Sequence, residues 1–203
     1  LSLVAGLLVS CQHTSQFTIE GIVSHAEGET LYLEHTALMQ TSVVDSCVLT
    51  AKGDFLLKAS APQYPDFYRL RIGRNSLILA IDSTEVITIT ATRDSLANTL
   101  AIENSDNTLM IAQLRAMAHA SSREDLREEA KKIIVANPRS LAAYYAVFMK
   151  QNGEYIWNIF DPSDRRMFQA VATSFHTWMP NYERTKALYT QVKEVMQVER
   201  NAT

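Results

Sequence analysis

The sequence predicts an α+β protein: an antiparallel β-sandwich or open barrel of about seven strands, followed by about five α-helices. Three observations carry that reading. From Phe17 to Ala91, short runs alternate apolar and polar residues between turn residues, the period of half-buried strands. From about Ser105 the apolar spacing changes to that of helices. Within the first half no helical run separates one strand from the next, which points to tight turns and antiparallel pairing.

The strands follow in order. Phe17-Thr18-Ile19-Glu20-Gly21 alternates, and Ser24 to Glu29 turns through Gly28. Leu31 and Leu33 oppose Tyr32 and Glu34. Thr41 to Leu49 is rich in β-branched residues that suit a pleated surface (Val43, Val44, Val48). Lys52-Gly53-Asp54 turns it into Phe55, Leu57 and Ala59, forming a hairpin. Pro62 and Pro65 interrupt, as prolines do between strands. Tyr68, Leu70 and Ile72 follow, then Leu77, Leu79 and Ile81, and last Val86 to Ala91. Phe55, Leu57, Leu70, Leu79 and Ile89 are expected to share one core, because alternate residues must face the same way to bury anything.

Helical signals then take over. Met110, Leu114 and Met117 mark one face of a first helix. Ser121 with Glu124 resembles a capping box ahead of Leu126, Ala130, Ile133 and Ile134. Asn137-Pro138 reads as N-cap and first residue of a third helix, ended by Asn152-Gly153. Asp161-Pro162 opens a fourth by the same logic, and a fifth carries Leu188, Val192, Val195 and Met196.

A net charge of −3 argues against a nucleic-acid partner and against a polybasic grip on a membrane. Two cysteines allow no disulfide framework. Leu1 to Ser10 is apolar or small and too short to span a bilayer, which takes ~20 residues. It fits the apolar part of an export signal whose positive start lies upstream. Leu8-Val9-Ser10-Cys11 resembles the bacterial lipobox, which implies cleavage before Cys11 and lipidation of its thiol. Two or more acyl chains give stable anchoring. The expected organisation is a signal remnant over 1–11, a polar tether over 12–16, an antiparallel β domain over 17–103 and a helical region over 104–203. The tether holds no acidic run, so the expected location is the cell envelope, membrane-anchored and facing the periplasm.

The order of these pieces resembles a known arrangement. The opening strand with its glycine, then Leu31-Tyr32-Leu33, Asp45-Ser46 and Gly53-Asp54-Phe55, resembles an N-terminal domain of unknown function. That domain stands in lipoproteins of anaerobic Gram-negative bacteria, ahead of a thioredoxin-like domain of the TlpA/ResA disulfide-reductase type. The runs Asn137 to Tyr145, Phe160-Asp161-Pro162 and Ala170 to Ser174 resemble the helical linker of those proteins. The resemblance implies that a thioredoxin-like domain with a Cys-x-x-Cys motif follows beyond Thr203. The expected role is therefore non-catalytic: to anchor, position or dimerise a periplasmic thiol–disulfide oxidoreductase. The alternative is a stand-alone lipoprotein whose β domain binds a ligand or a partner protein. No catalytic residue, cofactor site or metal site is assigned within the chain.

Other residues invite functional readings, and each has a plainer one beside it. Cys47 lacks a resolving partner and suits a small core position. His25, His35, His119 and His176 show no metal-ligand spacing. Asp161 and Asp164 flank Pro162 as capping residues rather than an acid–base pair. Arg69 and Arg71, with Arg74 nearby, offer an anion site or merely the polar face of an edge strand. The aromatic run Tyr144, Tyr145, Phe148, Trp157, Phe160, Phe168, Phe175 and Trp178 reads as helical core or as a docking face for the following domain.

Overall fold

Each alternating run becomes a strand where it was read. They are β1 (Gln16–Ser24), β2 (Thr30–Thr36), β3 (Thr41–Val48), β4 (Asp54–Ser60), β5 (Asp66–Ile72), β6 (Asn75–Ile81) and β7 (Val86–Thr92). The structure, a computed structural model, describes residues 15–96 and 101–202, so Cys11 and the lipobox lie outside the described residues. An eighth strand, β8 (Ala101–Glu103), pairs with β7 and is too short to carry a readable alternation.

The strands form two four-stranded sheets, ordered β4-β1-β7-β8 and β3-β2-β5-β6. Every pairing within them is antiparallel except one: β1 and β7 run parallel. Parallel neighbours need a long crossover. Here five strands supply it: between β1 and β7 the chain builds all of the second sheet (β2, β3, β5 and β6) and adds β4 to the other side of β1. The lack of an intervening helix therefore does not dictate the direction of that pair.

The sheets face one another without closing into a barrel. At one side β3 and β4 meet through side chains rather than a ladder. Asp45 Oδ2 accepts the Lys58 amide at 2.8 Å, and the Cys47 thiol receives the Leu56 amide. Two unpaired donors of an edge strand are satisfied in this way. At the other side the first helix, α1 (Asp106–Ala120), packs on β6 and β8. Phe17, Ile19, Leu33, Leu57, Leu70, Leu79, Ile87 and Ile89 fill the space between the sheets, and Phe55 joins them. All five expected core residues are buried together. Gly21 lies between Phe55 on β4 and Ile89 on β7 at φ +147°, and a Cβ there would sit 1.9 Å from the Ile89 carbonyl oxygen.

Among the described residues the helices number five, but two starts shift. α2 (Arg123–Ala136) is capped by Ser122, whose hydroxyl accepts the Asp125 amide, not by Ser121. Ser121 closes α1 instead, its amide donating to Met117. Asn137 is likewise taken as the C-cap of α2, so α3 (Leu141–Val147) opens at Ser140, not at Asn137-Pro138. Asn152-Gly153 does not end α3. Both residues have positive φ, 52° and 85°, the demand of a two-residue hairpin turn. They join β9 (Lys150–Gln151) to β10 (Glu154–Tyr155). α4 (Pro162–Trp178) begins as expected, with Asp161 accepting the Ser163 and Asp164 amides. α5 (Glu183–Ala202) completes the unit. Among the described residues no helix is long and apolar enough to cross a membrane.

Candidate functional site at the junction of sheet and helices

Alternation along β5 and β6 sends Phe67 and Ala80 away from the sheet core. They enter the helical core instead, beside Tyr144, Phe168 and Phe175. The outer face of the second sheet is thus the floor on which the helices stand. α1 is fastened there by Thr108, whose hydroxyl accepts the Ala80 amide at 2.9 Å.

The start of α5 reaches the same floor at Asp66, the first residue of β5. Asp66 Oδ1 accepts from the Tyr182 hydroxyl at 2.7 Å, from Arg184 Nε at 3.0 Å and from the Phe67 amide at 2.8 Å. Its Oδ2 lies 2.8 Å from His35 Nε2. Arg184 also donates to the Thr36 carbonyl, and its guanidinium lies 5.0 Å from the centre of the Phe67 ring. Burial pushes the Asp66 carboxyl up, but the bonds from Tyr182, His35, the Phe67 amide and Arg184 outweigh it and hold the group below its usual range. Burial and Asp66 push the Tyr182 hydroxyl far up. The cluster has the residue types of an acid–base dyad. Its geometry makes it a tie between two parts of the chain, since both carboxylate oxygens are engaged.

Two clefts flank Arg184. One, of about 460 Å³, is lined by His35, Tyr64, Asp66, Tyr68 and Tyr182. The other, of about 450 Å³, has Phe67, Ile78, Tyr144, Tyr145 and Phe148 on its walls, with Arg69 and Arg115 among them. A larger groove of about 680 Å³ lies by the start of α1. Its polar lining is taken up by local structure: Ser105 and Ser140 cap helices, and Asn107 bonds Asp82 and the Ala142 amide.

Arg69 and Arg71 are bound by Glu34, with Arg69 Nε 2.7 Å and Arg71 Nε 2.8 Å from its oxygens. Burial raises the Glu34 carboxyl, and the two arginines bring it below the ordinary value. β5 is an interior strand between β2 and β6, so the edge-strand reading fails. Arg74 is exposed in the next turn. Cys47 is half-buried at the seam between the sheets rather than in the core, and burial pushes its thiol up. His35 joins Asp66, and His176 stacks on Tyr189 with ring centres 4.0 Å apart. His25 and His119 are exposed. No group of three metal-ligating side chains occurs among the described residues. Asp164 does more than begin a helix: Arg127 grips both its oxygens, while stacking 4.2 Å above the Trp157 ring.

The aromatic run divides. Phe168, Phe175 and Trp157 are core, and the Trp157 indole donates to the Ala146 carbonyl at 3.0 Å. Tyr144, Tyr145 and Phe148 line the second cleft, while Phe160 and Trp178 stand exposed. Reading the sequence for sites missed Glu34, Asp66, Arg115, Tyr182 and Arg184. One signal was available. Asp66 falls in phase with Tyr68, Leu70 and Ile72, and a carboxylate at a core-facing position requires partners.

These features define the class: an α+β protein with an open two-sheet β unit, a helical unit on its outer face, and a polar tie between them. Residues 17–112 match the family described as "Domain of unknown function (DUF4369)", so a domain of that family spans this segment. The match takes in both sheets and runs into α1, whose Ala112 packs against the sheet core. No curated protein and no solved structure matches the chain.

Proposed function

We propose that this chain is the non-catalytic anchoring and positioning part of a membrane-anchored periplasmic thiol–disulfide oxidoreductase. Cys11 would carry the lipid, and a thioredoxin-like domain would follow α5. The observation that carries the reading is the tie through Asp66. It holds α5 at a fixed direction from the β unit, so whatever α5 leads into is oriented with respect to the anchored end. The order of motifs in the sequence supports the identity of that partner. The chemistry of thiol–disulfide exchange needs an exposed thiolate and a second cysteine to resolve the mixed disulfide. Cys47 is half-buried with a raised pKa, and it serves the seam.

The test is the gene beyond Thr203 and a paired assay. A chain extended through a Cys-x-x-Cys domain is expected to catalyse insulin reduction by dithiothreitol, and the chain ending at Thr203 is expected to stay at background. Cys11→Ser is expected to move the protein from the membrane pellet to the soluble fraction. An extended chain with no such domain would overturn the reading. The second reading, a lipoprotein that binds a ligand or partner, is favoured by the aromatic cleft beside Arg184.

A further inference from the structure

We infer that the cleft between β6, α1 and α3 is a binding site for a carboxylate or sulfonate carried on an aromatic or other flat apolar body. The inference stands whether or not a redox domain follows the chain. The walls are Tyr144, Tyr145 and Phe148, with Phe67 and Ile78 as the floor. Three arginines line the space, Arg69, Arg115 and Arg184, and among the described residues no Asp or Glu does. Two of the three have partners: Arg69 is held by Glu34 and Arg184 by Asp66. Arg115 differs. Among the described residues it forms no ion pair, and its hydrogen bond is a long one, 3.5 Å from Nη1 to the Ser76 carbonyl. Its planar fork of donors is suited to two oxygens of one anion, and adjoining aromatic walls suit a flat apolar body. A volume of about 450 Å³ falls within the range of small-molecule sites. Neutral or cationic ligands would give the Arg115 fork no counter-charge.

The probe is anilinonaphthalene sulfonate, read by fluorescence with the folded chain. Saturable one-site binding is expected, weakened by salt and weakened roughly tenfold or more in Arg115→Gln, because a charge-assisted pair is lost. Indole acetate is expected to displace the probe and the isosteric indole acetamide is not. The same chemistry could come from a chain end, so a peptide ending in Trp is compared with its C-terminal amide. Displacement by the peptide acid but not by indole acetate assigns the site to chain ends. Displacement by neither acid overturns the proposal. If Arg115→Gln fails to fold by circular dichroism, Ile78→Glu replaces it. This variant sets a carboxylate in the cleft and is expected to abolish probe binding. A folded variant that binds the probe as the parent does, or displacement by the amide as strong as by the acid, would also overturn it.

Discussion

The β unit and the helical unit bury their cores in different ways. The β unit fills the space between its sheets almost wholly with its own strands, and among the described residues the helices add to that cluster the hydrophobic side chain of Ala112 from α1. The helical unit does not stand alone. Its core includes Phe67 and Ala80 from the outer face of the second sheet, with Tyr64 and Ile78 packed against it. The polar groups repeat the contrast. Glu34 binds two arginines of the neighbouring strand, a local matter within one sheet. Asp66 gathers Tyr182 and Arg184 from more than a hundred residues downstream, as sequence separations of 116 and 118 record. The first cluster satisfies a buried carboxylate within one sheet, while the second makes two units into one. A sheet pair can be self-sufficient because it supplies two apolar faces; a few helices on one side of a sheet borrow theirs.

The largest expected effect tests the self-sufficient core. Phe55→Ala should cost about 3–5 kcal/mol by chemical denaturation, since the ring is buried and the sheets cannot collapse around the gap. A loss under about 1 kcal/mol would put Phe55 at the surface and break the comparison at its root.

Asp66→Asn should follow closely, at about 3 kcal/mol, because it leaves the buried Arg184 without its counter-charge. Hydrogen exchange should show α5 losing protection while β1 and β7 keep theirs. Its pH dependence has a definite sign. The folded carboxyl is held below its ordinary 3.8, so its contribution is full above that value and is lost as pH falls through the lower folded pKa. The amide that replaces the carboxyl in the variant cannot titrate, so the variant's acid limb should be flatter than that of the parent. Equal acid limbs would mean that the tie does not depend on the charge.

Gly21→Ala comes next, at about 2–3 kcal/mol. The backbone conformation is one that L residues avoid, and the added methyl meets the Ile89 carbonyl. Melting of the β unit should report it, with the β1–β7 pairing as the part that opens. Glu34→Gln is the smallest, about 1 kcal/mol, because Arg69 and Arg71 are about a third exposed and water screens them. If it cost as much as Asp66→Asn, the distinction between a local cluster and a tie between units would fall.

Much of this was legible in the residues alone. Alternation placed β1 to β7 and their shared core, because period two leaves a strand no other way to bury Leu57, Leu70 or Ile89. Apolar spacing also placed the helices, since an amphipathic face is written in neighbouring residues. Cap positions were less secure where two candidates stood side by side. Ser121 and Ser122 each have an acid three residues on, and which one caps depends on where α1 stops. Asn152-Gly153 carried its hairpin meaning only once α3 was seen to end at Val147.

What the tertiary structure alone decided is of another kind. The parallel pairing of β1 with β7 depends on the chain returning to a sheet it has already left, which no local pattern records. The same holds for Asp66 with Arg184 and for the cleft that brings Arg115 of α1 beside Tyr145 of α3. Local sequence determines which face of each element is apolar. It does not determine which elements meet, because hydrophobic attraction has no direction and many pairings bury similar area. Directed bonds at Asp66, Thr108 and Asp45, which this arrangement satisfies together, add the direction that burial lacks.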